Sequence, residues 1–150
     1  MSTAVCLISS HGGHLHELSE AVKGLDRPCY WVTYATTHTR QMFKDKRHYF
    51  VIDPHLSKFK YLINAFQALW HLLRERPKVI ISTGAGIAIP TMLLGKFLFR
   101  SKLIFIESAA NVVTPSHTAK FMYRYADLFL TQWPDMVETE FPKAVNVGVL

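Results

Sequence analysis

A segment rich in glycine and histidine stands between the first predicted strand and the first predicted helix. It contains Ser10, His11, Gly12, Gly13 and His14 in succession. Glycines allow a sharp turn and a close approach of the backbone to a ligand. The first N–H groups of the following helix suit an anion such as a phosphate. Because α/β sheets bind ligands at the carboxyl ends of their strands, the segment predicts an anion site, and a plain tight turn is the alternative.

A second glycine loop repeats this arrangement later in the chain. Thr83, Gly84 and Gly86 follow a short apolar run and precede Pro90, a residue that suits the first turn of a helix. Carboxyl ends of parallel strands meet at one edge of a sheet, so the two loops are expected to enclose one phosphate-bearing ligand. A turn that uses glycine only for backbone freedom is again the alternative.

A carboxylate ends a third apolar run, where Glu107 is followed by Ser108 and then by Asn111. Such a carboxylate can accept a hydrogen bond from a hydroxyl, act as a base, or cap the next turn. His14 is the other candidate base, because an unperturbed imidazole titrates near neutral pH, and a structural role is its alternative. The remaining histidines show no spacing typical of a metal site, so no metal or other cofactor is predicted.

Short apolar runs rich in β-branched residues alternate with segments of helical period along the whole chain. This pattern is typical of a parallel sheet wrapped by helices, and it predicts about six strands in a doubly wound, Rossmann-like α/β fold forming one domain over residues 1–150. The strand-like runs are 4–9, 30–34, 49–52, 79–82, 103–106, 127–131 and 144–147.

The segment from Ser57 to Arg76 predicts a long helix with Ser57 as its N-cap and Pro77 as its stop. Its many apolar residues predict a helix packed on the core, and its polar residues repeat every three or four positions, which predicts one face in water. The apolar set is Tyr61, Leu62, Ala65, Phe66, Leu69, Trp70, Leu72 and Leu73, and the polar set is Lys60, Asn64, Gln67, His71 and Arg74.

The basic composition of the chain indicates which kinds of partner it can bind. A net charge of +6 over 150 residues points to an anionic partner: phosphates, nucleic acid or an acidic membrane surface. Lysines and arginines are scattered and match no nucleic-acid-binding module, so no nucleic-acid partner is expected.

The dinucleotide-binding pattern Gly-x-Gly-x-x-Gly and the P-loop are both missing from the glycine loops. No apolar run is long enough to span a bilayer, so we expect any membrane contact to be peripheral.

Taken in order, the loops resemble a known family over essentially the whole chain. The matching segments are Ser-Ser-His-Gly-Gly-His-Leu, Ser-Thr-Gly-Ala-Gly-Ile-Ala-Ile-Pro, Phe-Ile-Glu-Ser, Tyr-Arg-Tyr-Ala-Asp and Gln-Trp-Pro. They resemble the PssD/CpsF/EpsE-type subunits of bacterial capsule and exopolysaccharide synthesis. Those subunits are similar to the membrane subunit of the split N-acetylglucosaminyltransferase of the dolichol pathway and, more distantly, to the amino-terminal domain of MurG.

The resemblance implies the amino-terminal half of a GT-B glycosyltransferase. This half would hold a polyprenyl-diphosphate-linked saccharide, while a separate donor-binding subunit would supply the UDP-sugar. Gly12, Gly13, Gly84 and Gly86 match the two glycine loops that face the acceptor, and His14 and Glu107 match the candidate catalytic residues. Ser9-Ser10-His11 departs from MurG-like proteins, which have more glycines there.

The resemblance also implies a position at the cytoplasmic face of the cell membrane. The segment Ile89–Phe99 with its basic neighbours is the candidate for surface attachment, and a plain core helix is the alternative. The expected membrane contacts are Ile89, Met92, Leu93, Phe97, Arg100 and Lys102. A function from another class is a non-catalytic adaptor that only recruits and stabilises the donor-binding partner at the membrane.

Overall fold

The computed structural model describes residues 4–150 and contains one seven-stranded parallel sheet with helices on both faces. The doubly wound fold predicted from the sequence is confirmed, and each of its seven strands overlaps one of the seven strand-like runs. The strands are β1 (Val5–Ser9), β2 (Cys29–Thr33), β3 (His48–Phe50), β4 (Val79–Gly84), β5 (Lys102–Ile106), β6 (Leu128–Thr131) and β7 (Val145–Asn146). The helices are α1 (Gly13–Ala21), α2 (Thr37–Met42), α3 (Lys58–Glu75), α4 (Ala88–Phe99), α5 (His117–Met122) and α6 (Pro134–Thr139).

The strand order β3-β2-β1-β4-β5-β6-β7 reverses direction between β1 and β4. From β1 the chain proceeds outward to β2 and β3, and after α3 it returns to the other side of β1. Cys6 of β1 is therefore paired with Tyr30 of β2 on one side and with Ile80 of β4 on the other. A crevice opens at the carboxyl ends of strands where such a reversal occurs, and both glycine loops stand there.

Successive side chains of the central strands point to opposite faces of the sheet, so the core has two layers, one on each face. Cys6 and Ile8 face the larger layer, which includes residues of α3, α4, α5 and α6. Leu7, between them, faces the smaller layer under α1, with Leu15 and Leu18. Successive strand residues point to opposite faces, so the strands are apolar throughout and buried on both sides.

The predicted start of α3 is confirmed, because the Ser57 side chain accepts a hydrogen bond from the Lys60 N–H. The prediction for its faces is wrong for several residues, although Leu72 is buried and Lys60 and Arg74 are exposed as expected. Asn64 and His71, expected in water, are fully buried, whereas four residues assigned to the core are exposed: Leu62, Phe66, Trp70 and Leu73. The physical reason lies in the segment after β3, where the backbone of Ile52 needs polar partners. The Asn64 side chain donates to its carbonyl at 2.8 Å, and that of Gln67 accepts from its N–H at 2.7 Å.

Within residues 4–150, the helices are all too short or too polar to cross a bilayer.

Candidate functional site

The first glycine loop joins β1 to α1 and is open to a ligand. Gly12 has a φ of +79°, a conformation that favours glycine, and a Cβ on Gly12 or Gly13 would meet no atom of residues 4–150 within 4 Å. In this part of the chain no side chain caps the start of α1. The first N–H groups of this helix therefore point into open space at the crevice, together with the exposed side chain of His11 and the partly exposed Ser10.

The second glycine loop is bonded directly to the first. The fully buried hydroxyl of Thr83 donates to the carbonyl oxygen of His14 at 2.5 Å, which fixes the end of β4 against the first turn of α1. Gly84 has a φ of +114°, and a Cβ there would lie 3.4 Å from Phe105 and 3.7 Å from His14 Cε1. A side chain at Gly84 would thus strain the backbone, and its Cβ would lie in van der Waals contact with the His14 ring. The structure brings both loops together, as the sequence predicted.

The His14 ring is half-buried between these loops. Its Nδ1 is shielded from solvent and has no hydrogen-bond partner among residues 4–150. An imidazole with an unpaired nitrogen keeps the capacity to bind a ligand group or to accept a proton from it. His14 therefore has one ring nitrogen that is both unpaired among the described residues and closed to solvent, and it stays a candidate base.

Glu107 stands at the end of β5 in a different environment. It is 1% exposed, and its carboxylate accepts hydrogen bonds from the Ser108 N–H, the Asn111 side chain, the Ser116 N–H and the Ser116 hydroxyl, at 2.9–3.2 Å. All these donors belong to the segment between β5 and α5. A carboxylate whose oxygens accept this many hydrogen bonds holds the segment after β5 in its conformation. One N–H of the Asn111 amide is used in these bonds.

Glu17 lies beside the crevice but is not among the residues predicted from the sequence. Its Oε1 accepts from the Ser108 hydroxyl at 3.1 Å and from the Ala109 N–H at 3.0 Å, which ties α1 to the segment after β5. Its Oε2 is buried without a partner among the described residues. The available signal was its spacing, since residues three apart on a helix share a face, and Glu17 stands three positions after His14.

Aromatic hydroxyls border the crevice on the side of β2 and β3. The Tyr34 hydroxyl is hydrogen-bonded to His11 Nδ1, and the Tyr61 hydroxyl occupies the space that a Cβ on Gly86 would need. Partial burial, with the nearby charge of Asp53, raises the pKa of both tyrosines. They remain protonated at neutral pH and can donate to a ligand.

No group of three or more potential metal ligands occurs among the residues that the structure describes. The groups at the crevice are a histidine side chain, hydroxyls and backbone N–H groups of glycine, which suit an anionic or hydroxyl-bearing ligand.

The six residues predicted for membrane contact do not form one exposed surface. Met92 is fully buried in the core, so its assignment to a membrane surface is wrong, because α4 packs that side against the sheet. Ile89 and Leu93 are partly buried against the same core. Phe97 and Arg100 are exposed, and Lys102 is exposed but paired with Asp127 at 3.4 Å.

Comparison with solved structures finds the same fold in other proteins. MurG from Acinetobacter baumannii superposes with a TM-score of 0.74 at 15% identity, over 98% of this chain and 45% of MurG. UDP-N-acetylglucosamine 2-epimerase from Rickettsia bellii also gives 0.74, at 10% identity, over 99% of this chain and 45% of the epimerase. At such identities the likeness concerns the fold alone, which different chemistries share.

The chain belongs to the Alg14-like family of oligosaccharide biosynthesis proteins, whose family model matches residues 51–150. The UDP-N-acetylglucosamine transferase subunit alg14 of Schizosaccharomyces pombe is 33% identical over 62% of this chain and 50% of its own length. The human subunit ALG14 is 24% identical over 98% of this chain and 82% of its own length. The chain thus spans half of the yeast relative and about four fifths of the human one. The resemblance to the dolichol-pathway subunit is confirmed, and the PssD/CpsF/EpsE type stays a prediction.

Proposed function

We propose that this chain is the acceptor-binding subunit of a two-component glycosyltransferase. It holds a polyprenyl-diphosphate-linked saccharide while a partner subunit binds the UDP-sugar, and the product serves capsular or exopolysaccharide synthesis. The observation that carries the proposal is the pair of glycine loops at the reversal of strand order, joined by the hydrogen bond from Thr83 to His14. This arrangement offers one concave site with free N–H groups.

The diphosphate is the part of the acceptor that this site suits best. The uncapped first turn of α1 offers N–H groups and the positive end of the helix dipole. The backbone of Gly12 and Gly13 leaves room for phosphate oxygens, because no atom would lie within 4 Å of a Cβ at either position. A net charge of +6 favours approach of the doubly charged group.

His14 then acts as the general base. The acceptor hydroxyl attacks the anomeric carbon of the donor sugar from the side opposite UDP, the new glycosidic bond forms with inversion, and UDP leaves. The attacking hydroxyl loses its proton to His14, whose ring is the half-buried base between the loops. Glu107, with its oxygens already occupied, keeps the neighbouring segment in place and thereby positions Ser108 and Asn111 for the saccharide.

The relatives support a division of the enzyme into two subunits, because the yeast and human relatives are both named as transferase subunits. The donor-binding half is accordingly assigned to a partner chain. The lipid acceptor requires the assembly to work at the membrane, and we place it at the cytoplasmic face as a peripheral complex.

The test is calorimetric titration of this chain alone with a soluble short-prenyl diphosphate saccharide. We expect binding that the same saccharide without the diphosphate does not show. Gly12→Ala should abolish it, whereas Gly24→Ala is a matched control, because both glycines have a φ of +79° with open space around them. Each substitution should cost roughly 1 kcal/mol of stability. Equal affinity of the Gly12 and Gly24 variants, or of the phosphate-free compound, would contradict the proposal.

A further inference from the structure

Two polar atoms on α1 are shielded from solvent and have no hydrogen-bond partner among residues 4–150: His14 Nδ1 and Glu17 Oε2. Residues three positions apart on a helix share a face, and their Cβ atoms lie about 5–6 Å from each other. The two unpaired atoms therefore belong to neighbouring side chains beside the crevice. Buried polar groups are nearly always paired in folded proteins, so this coincidence indicates a hydrogen bond that the functional state makes.

The Glu17 carboxylate is bonded through one oxygen only. Oε1 accepts from the Ser108 hydroxyl at 3.1 Å and from the Ala109 N–H at 3.0 Å, so the segment after β5 holds the carboxylate in place. Oε2 has no donor in the described part of the chain. In Glu107, by contrast, both oxygens accept hydrogen bonds. An ionised carboxylate can only accept, and Glu17 therefore has one oxygen that is free to accept from a nearby N–H.

The His14 ring presents its two nitrogens to different surroundings. A Cβ on Gly84 would lie 3.7 Å from Cε1 and 3.9 Å from Nδ1, so this edge of the ring faces the second glycine loop. Nδ1 is the shielded nitrogen, whereas Nε2 is not among the shielded, unpaired atoms of this half-buried residue. Nε2 is accordingly the nitrogen that a ligand in the crevice can reach, and Nδ1 is left for a partner within the protein.

We propose that Glu17 is a positioning residue for His14: its Oε2 accepts a hydrogen bond from Nδ1–H and thereby keeps the ring proton on Nδ1. A neutral imidazole has one N–H and one acceptor nitrogen, so a proton on Nδ1 leaves the free electron pair on Nε2. Such hydrogen bonds are often long in a ligand-free enzyme and shorten when the substrate binds. The inference rests on the proposed function in taking His14 as the base.

This arrangement gives His14 the protonation state that transfer needs. As the acceptor hydroxyl oxygen bonds to the anomeric carbon, the bond between that carbon and UDP breaks, and the hydroxyl proton passes to Nε2. The ring then carries both protons and a positive charge, which the carboxylate of Glu17 stabilises. The segment after β5 acts on the reaction through this carboxylate, because Ser108 and Ala109 hold its other oxygen.

The position of the ring proton is measured by NMR of this chain alone, with ¹⁵N-labelled histidine, at a pH where the rings are neutral. The chain has eight histidines, and the His14 signals are identified by their loss in His14→Ala. We expect the proton on Nδ1 in the wild type. In Glu17→Gln an amide NH₂ group replaces Oε2, while the amide oxygen still accepts from Ser108 and Ala109. The amide donates to Nδ1, so the ring proton should move to Nε2.

Glu20→Gln is the matched control, because it makes the same substitution further along α1, at a residue paired with Lys23 at 2.6 Å. It should keep the wild-type tautomer and wild-type transfer. In the enzyme reconstituted with its candidate donor-binding partner, Glu17→Gln should lower kcat by a factor of about 10²–10⁴, since the reactive nitrogen already carries a proton. The KM for the acceptor should stay within about twofold. Circular dichroism and thermal unfolding verify that both variants are folded.

Three outcomes would overturn the inference. One is a ring proton on Nε2 of His14 in the wild type, a result that requires no substitution of Glu17. Another is the wild-type tautomer in a folded Glu17→Gln variant. The third is a Glu17→Gln enzyme with a raised KM and an unchanged kcat, which would make Glu17 a contact of the acceptor instead. The proposed function fails separately, since the tautomer is measured without acceptor or donor.

Discussion

The hydroxyl of Thr83 donates to the carbonyl oxygen of His14 at 2.5 Å, across the point where the sheet reverses its strand order. This bond sets the distance between the two glycine loops and, through the first turn of α1, the place of the His14 ring. The bond can be removed by one substitution that leaves the glycines of both loops unchanged.

Thr83→Val removes the donor and keeps the shape of the side chain. We expect a loss of about 1 kcal/mol in the free energy of unfolding and a fall of about tenfold or more in transfer, because displaced loops hold the acceptor badly. Ser101→Ala is the matched control, since the buried Ser101 hydroxyl donates to the Pro77 carbonyl at 2.6 Å away from the loops. It should cost similar stability and leave transfer unchanged. Equal transfer by both variants would show that the Thr83 bond is only structural.

His14→Ala tests the candidate base. We expect transfer to fall by a factor of about 10²–10⁴, the usual contribution of general-base catalysis, with little change in stability because the ring is half-buried and Nδ1 is unpaired. His16→Ala, two positions later and exposed, is the control and should be fully active. Full activity of the His14 variant in the reconstituted enzyme would remove His14 from the mechanism and favour the adaptor function.

Glu107→Gln tests whether this carboxylate is structural. Its oxygens accept from two backbone N–H groups and two side chains, and an amide nitrogen in place of one oxygen would face those donors. We expect a loss of about 2–4 kcal/mol in the free energy of unfolding, measured by urea titration, with transfer largely retained at temperatures where the variant is folded. Wild-type stability combined with loss of transfer would identify Glu107 as the base instead.

His71 predicts a dependence of stability on pH. Burial lowers the pKa of His71 from 6.5 to about 4. The unfolded chain therefore takes up this proton at a higher pH than the folded chain does, so acidification favours unfolding. The contribution is complete above pH 6.5 and is lost between 6.5 and about 4, by roughly 3 kcal/mol. Urea unfolding across this range should show a steeper decline for the wild type than for His71→Gln. Parallel curves would exclude His71 as the origin.

The strands and the glycine loops were predictable because their signals are local. A short β-branched run followed by glycine and a helix start predicts a strand that ends at the binding edge, whatever the rest of the chain does. The pairing of Thr83 with His14 was not predictable in this way, since it depends on the order of strands in the sheet. Neither were the bonds that occupy Glu107, which come from donors up to nine positions further on.

Helix α3 shows where a periodic pattern is ambiguous. Polar and apolar residues alternate with a helical period, and the pattern alone assigns the apolar face to the core. The structure reverses this, because Ile52 and Tyr30 offer hydrogen bonds that Asn64 and His71 satisfy. The cost of unpaired buried polar groups thus decided the orientation, and the apolar residues were left outside. An apolar face that the fold does not bury is the kind of exception expected at a functional surface.

The central claim is that this chain is one half of a glycosyltransferase, and the most direct measurement is transfer of labelled sugar from UDP-sugars to a prenyl-diphosphate-linked saccharide. The assay is run with this chain alone, with its candidate donor-binding partner alone, and with both. The account predicts product only in the mixture, and loss of that product in the Gly12→Ala variant but not in Gly24→Ala. Transfer by this chain alone would contradict it, because a complete donor site would then exist within these 150 residues.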